Sequence, residues 1–198
     1  MRILGIDPGL AIVGYGVIDF VRGKFSVVAM GSIETPAGID TEDRLKMIYD
    51  DLNEVIGEYR PSEVAIEELF YHTNQKTVIA VAEARGVILL ACKNAGLNIA
   101  EYTPLQVKQS VVGYGRAEKK QVMEMTRIML GMNEKIALDD TADALAIAVC
   151  HAHCSGVGTL PQGAGASSVP QETERTMPAS RVANGLIHLC IGSILNKG

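Results

Sequence analysis

Near the N-terminus the chain alternates between short apolar runs and turn residues. Ile3, Leu4 and Ile6 form a run that stops at Asp7-Pro8-Gly9, a carboxylate followed by a turn-forming pair. A run of this kind reads as a strand covered on both faces, the mark of a central strand in an α/β sheet. Residues 12–20 and 24–35 are rich in Val, Ile, Tyr and Phe, with Arg22-Gly23 between them, so the first three strands read as an antiparallel meander. The period then changes. Leu45, Ile48, Leu52, Val55 and Ile56 recur at helical spacing between an acidic first turn at Asp40 or Thr41 and a stop at Pro61. Glu63-Val64-Ala65-Ile66-Glu67-Glu68 reads as a fourth strand, apolar in its middle and acidic at its C-terminal end, repeating the pattern at Asp7.

Residues 74–94 predict a helix that is apolar nearly all round, which a surface helix does not need, so it is buried or shared with a second subunit. Gly86 inside it signals either close approach of another backbone or a packing accident. Leu97 to Tyr102 gives a fifth strand, Pro104 to Val111 a short helix, and Ala117 to Leu130 a helix with Val122, Met125, Ile128 and Met129 inward and Gly131 at its end. The last helix starts at Asp139-Asp140-Thr141-Ala142-Asp143 and runs to about His153. The whole is an α/β fold: a five-stranded mixed sheet, a three-strand antiparallel meander plus two parallel strands, flanked by helices. Residues 1–154 form this domain. Residues 155–198 read as a low-complexity linker, rich in Gly, Ser, Pro and Ala, and a flexible C-terminal tail whose apolar stretch is too short to span a bilayer.

Composition narrows the function. With 47% hydrophobic and 21% charged residues, and neither a signal peptide nor a long apolar span, the 198-residue chain reads as a cytoplasmic globular protein with no membrane partner. Four cysteines without a secretory signal read as reduced thiols. The Cys150-His151-Ala152-His153-Cys154 cluster lacks a second ligand pair at zinc spacing. A net charge of −5 excludes broad attraction to nucleic acid, so any such contact needs a local basic patch and bound metal.

The chemistry lies in the acidic positions. Asp7 and either Glu67 or Glu68 end strands, while Asp140 and Asp143 share one face of a first helical turn. Each has a plain structural explanation, turn bonding for Asp7 and capping for the later pair. Brought together, four carboxylates repel prohibitively unless cations separate them. Two divalent ions about 3.5–4 Å apart would neutralise them, and hard oxygen ligands select Mg²⁺ or Mn²⁺ over zinc.

Gly5-Ile6-Asp7-Pro8-Gly9, Ala65-Ile66-Glu67, Gln106-Val107-Lys108-Gln109 with Val111-Val112-Gly113, and Asp140-Thr141-Ala142-Asp143 through Ala148 together resemble the RuvC family of bacterial Holliday junction resolvases, in order over residues 1–154. The resemblance implies an RNase H-like fold and a homodimer. It implies a structure-selective endonuclease that resolves four-way junction DNA in recombination and repair by paired metal-dependent nicks, leaving 5′-phosphate and 3′-hydroxyl ends. It puts the catalytic and metal-binding tetrad on Asp7, Glu67, Asp140 and Asp143, with two Mg²⁺ per subunit and Mn²⁺ as a substitute, and leaves Glu68 on the other face of its strand. It also implies the RuvA and RuvB branch-migration proteins as partners. Lys108 and Lys119 match family DNA-contacting lysines and Phe70 an aromatic position that stacks on bases; Arg116 and Lys120 extend the basic cluster, which by itself also reads as a solvated helix face. The alternatives are an actin-like or sugar-kinase-like ATPase, for which the length leaves little room, and a catalytically inert DNA-binding relative.

Overall fold

A computed structural model describes residues 1–68, 75–134, 136 and 138–156; Phe70, expected to stack on bases, and residues 157–198, expected to form linker and tail, lie outside them. The elements are β1 Arg2–Asp7, β2 Ile12–Val21, β3 Lys24–Glu34, α1 Thr41–Tyr59, β4 Glu63–Glu67, α2 Gln75–Asn94, β5 Asn98–Tyr102, α3 Pro104–Val112, α4 Lys119–Met129 and α5 Asp139–Gly156. One mixed sheet has the order β3-β2-β1-β4-β5. The first three strands are antiparallel neighbours, and β4 and β5 add in parallel beside β1. This is the expected five-stranded arrangement, with β1 at its centre.

Side chains alternate across a strand with period two, so each strand serves two cores. Ile3 of β1 and Ala65 of β4 face a core built with α3, α4 and α5. Leu4, Ile6, Val64 and Ile66 face the opposite core, with Ile48, Leu52 and Ile56 of α1 and Ala84, Ile88 and Ala91 of α2. Ile3, Leu4 and Ile6 are all fully buried, which is why the first strand shows no polar alternation in the sequence. By the same alternation Asp7 and Glu67 share the α5 face with Ile3 and Ala65.

The close approach of α5 depends on small residues in the sheet. A Cβ on Gly5 would stand 2.1 Å from the carbonyl oxygen of Ala144, and one on Gly14 would stand 2.1 Å from that of Asp140. No larger residue fits without moving the helix. Gly14 pairs with Asp7 across the β1–β2 ladder. The start of α5 is thereby laid over the strand position next to Asp7.

Two expectations about helix faces change. Ile128 is not inward: it is exposed, and α4 buries Val122 and Thr126, followed by Leu130 just beyond its end. Those three recur every fourth residue, and at 3.6 residues per turn Ile128 lies about 200° round from Thr126. In α2, Ala84, Ile88, Ala91 and Cys92 are buried, while Ile79 and Leu90 face outward with 60% and 55% of their surface exposed. Among the described residues a Cβ on Gly86 would meet nothing within 4 Å, so none of their backbone explains that glycine. Among the described residues no helix is long and apolar enough to cross a membrane.

Candidate active site

The β1–β4 register, Gly5 opposite Ala65 and Ile6 opposite Ile66, continues to bring Asp7 beside Glu67 at the C-terminal end of the sheet. The two carboxyls lie close enough to act on one another, which raises Asp7. From above, α5 brings Asp140 and Asp143 near enough for both to act electrostatically on Asp7. Burial, then the charges of Glu67, Asp143 and Asp140, push the Asp7 carboxyl up to about 8 from its ordinary 3.8. Glu67 and Asp143 are also raised, in both cases chiefly by burial. Glu68 lies exposed just past the end of β4, its amide donating to the Tyr102 carbonyl at 2.8 Å, and is not among the groups acting on Asp7.

The counter-charge comes from α3 and α4. Lys119 Nζ lies 3.0 Å from Asp143 Oδ2 and 3.3 Å from Asp139 Oδ2. Burial opposes the charge on Lys119, but its hydrogen bonds to Asp143 and Asp139 outweigh that and raise its pKa. Lys108 and Lys119 both pull the Glu67 carboxyl down against the burial that raises it. Glu67, Asp143 and the two lysines line one cleft of about 200 Å³, floored by Val107, Val122 and Ile147. Lys120 does not enter it; it lines a different cleft with Met123, Arg127 and Ile136. Arg116 is exposed in the segment joining α3 to α4.

Several supporting groups carried no local signal in the sequence. Arg85 of α2 donates through Nε to the Glu67 carbonyl at 3.3 Å and pairs with Glu101, so it braces the end of β4. His151 of α5 is hydrogen-bonded through Nδ1 to Tyr102 Oη at 2.8 Å and through Nε2 to Glu63 at 2.5 Å. That bridge ties the helix bearing Asp140 and Asp143 to the strand bearing Glu67. His153 is bonded to Ser110 at 3.0 Å and packs edge-on to Phe25. The period-two pattern that puts Glu63, Ala65 and Glu67 on one face was the available clue to the His151 bridge.

A family profile for the crossover junction endodeoxyribonuclease RuvC matches residues 3–151. The chain belongs to the RuvC family. Its RuvC relative from Caldanaerobacter subterraneus is 54% identical over 157 residues, covering 79% of this chain and 95% of the relative. The Thermus thermophilus RuvC structure superposes with a TM-score of 0.74 at 34% identity, over 80% of this chain and 98% of that one. The same protein in complex with Holliday junction substrate superposes at 0.76 and 35% identity, over 80% and 97% of the two chains. The five-stranded mixed sheet with helices on both faces is accordingly RNase H-like, and RuvC membership displaces the kinase-like ATPase alternative.

A divalent cation suits this donor set. Asp7, Glu67, Asp140 and Asp143 offer only hard oxygens, and at Asp7 the charges of the other three add to burial in raising its carboxyl, which a bound cation would offset. Among the described residues no three His, Cys, Asp or Glu side chains already stand in a metal-holding arrangement. Lys119 instead occupies one Oδ of Asp143, so a cation taking that oxygen would have to displace the ammonium.

Proposed function

We propose that this chain is a structure-selective DNA endonuclease that resolves four-way junctions by paired nicks, with Asp7, Glu67, Asp140 and Asp143 as its catalytic and metal-binding residues. The observation that carries the reading is the electrostatic coupling of all four carboxylates at Asp7, beside the two lysines of the adjoining cleft. Hydrolysis adds water across the P–O3′ bond and leaves a 5′-phosphate and a 3′-hydroxyl. Two Mg²⁺ ions, or Mn²⁺ in their place, would be held by the four carboxylates and supply Lewis acidity at the phosphodiester.

The chain's own residues do the rest. Asp7, fixed at the end of a central strand, would hold a cation as its carboxylate, without the proton it carries in the ion-free protein. Lys119 is released from Asp143 and, with Lys108, takes phosphate oxygens of the incoming strand. Glu67, held from behind by Arg85, keeps its place as the charges rearrange. Arg116 and Lys120 extend the DNA contact beyond the cleft, and Phe70 is the proposed base-stacking residue.

Paired cuts in a two-fold symmetric junction need two symmetric sites, so the working unit is a homodimer. The outward face of α2 supports that assignment because Ile79, Ala82, Gly86 and Leu90 lie exposed there, with Glu83 among them. RuvA and RuvB are the proposed proteins that present the junction. The test is a synthetic four-way junction incubated with Mg²⁺. Wild type is expected to give paired ligatable nicks and Asp7→Asn none; nicks that persist in the variant overturn the site.

A further inference from the structure

We propose that Arg44 of α1 holds a DNA phosphate beside the scissile one, in a second groove that meets the carboxylate cluster at Asp140. This rests on the nuclease reading and extends it to a residue with no place in the tetrad or the lysine pair. The groove, about 520 Å³, is formed by the turn after β1 (residues 9–12), Ala80 and Val81 of α2, Arg44 and Asp140. Among the described residues its charged side chains are Arg44 and Asp140 alone.

Arg44 is tethered. Its Nε donates to Thr35 Oγ1 at 2.8 Å, and that hydroxyl donates to the Leu10 carbonyl at 2.6 Å. Arg44 is half-buried, and its two Nη groups make no hydrogen bond or ion pair among the described residues. A guanidinium held by one edge with its fork free is set up to grip a phosphate in bidentate fashion.

The occupant follows from what the site must accommodate. A phosphodiester can be cut in mid-strand only if the chain continues on both sides of the scissile phosphate. The first cleft, with Lys108 and Lys119, meets the cluster at Glu67 and Asp143; the groove with Arg44 meets it at Asp140. The mostly apolar lining of the second groove accepts a sugar edge, and its single fixed cation accepts one phosphate.

The experiment measures binding of a labelled four-way junction across a salt series with divalent ion withheld, and scores nicking of the same junction separately with Mg²⁺ present. It compares wild type with Arg44→Gln, Arg44→Lys and Thr35→Val, and records Tm for each. Arg44→Gln is expected to weaken binding roughly tenfold at low salt. It is also expected to flatten the dependence of log Kd on log salt by about 0.9 per phosphate no longer neutralised. Arg44→Lys and Thr35→Val, which keep the charge, are expected to retain the wild-type slope. An unchanged slope in Arg44→Gln overturns the inference, above all if Thr35→Val reproduces its loss of Tm and activity, because Arg44 is then only a tether. A wild type that neither binds nor nicks the junction sinks the nuclease reading and this inference with it; a wild type that does both, beside an unchanged Arg44→Gln slope, sinks this inference alone.

Discussion

Lys119 Nζ sits 3.0 Å from Asp143 Oδ2, so the carboxylate cluster carries its own removable counter-ion. A cation entering the cluster competes with that ammonium. Lys119→Gln is therefore expected to have two opposite effects. Loss of the partly exposed ion pair costs about 0.5–1 kcal/mol of ion-free stability, while the Mg²⁺ concentration that gives half-maximal thermal protection falls. Junction affinity drops at the same time. Thermal melts across a Mg²⁺ titration, with parallel binding measurements, check all three.

Asp7 holds its proton to about pH 8 in the folded protein, against an ordinary value of 3.8. Between those values the native state binds a proton that the unfolded chain has lost. Ion-free stability is thus complete below about pH 4 and declines as pH rises to about 8. Glu67 and Asp143, also raised, add in the same direction. Melts in EDTA from pH 5 to 8 are expected to show a falling Tm, and Asp7→Asn to flatten the fall. A Tm that climbs with pH in wild type contradicts the burial of these carboxyls.

Divalent ion reverses that trend. Cations favour the ionised carboxylates, so the Tm gain on adding Mg²⁺ is expected to be larger at pH 8 than at pH 5 in wild type. Asp7→Asn, which removes a proposed ligand, is expected to shrink the gain. The same melts, with ion present, provide the measurement.

Gly14 separates folding from catalysis. Its missing Cβ is the space taken by the Asp140 carbonyl, so Gly14→Ala must lift the first turn of α5. The expected cost is about 1–3 kcal/mol, with junction cleavage reduced further than the fraction of folded protein explains. Denaturant melts and single-turnover cleavage of the same preparation distinguish the two losses.

The outward face of α2 carries the dimer assignment. Leu90→Glu, at a position 55% exposed in one subunit, is expected to leave Tm in dilute protein nearly unchanged while abolishing self-association. Sedimentation at micromolar concentration reads the oligomer. A Leu90→Glu protein that remains dimeric removes this face from consideration.

Much of the architecture was legible from local pattern. Ile3, Leu4 and Ile6 announced a doubly covered strand, the spacing from Ile48 to Ile56 announced a helix, and Pro8 and Pro61 marked where elements stop. Burial imposes period two or 3.6 on any sequence that folds this way, so such signals survive in one dimension. The acidic candidates were legible only in part: Asp7 and either Glu67 or Glu68 stand where an apolar strand breaks off, and Asp140 and Asp143 share a face at the start of α5, but the choice of one tetrad came from the family resemblance. Ile128 misled because an apolar residue on an exposed face looks the same in sequence as one on a buried face.

What lay beyond local pattern was every relation made across space. Nothing near Lys119 in the chain points to Asp143, nor anything near His151 to Glu63 and Tyr102, nor near Arg44 to Thr35. The first two pairings exist because α5 descends onto a sheet left without side chains at Gly5 and Gly14. How closely that helix lies sets which charges meet. Residue types and their order settled which groups are present; the packing distance between one helix and two strands settled which of them act on one another.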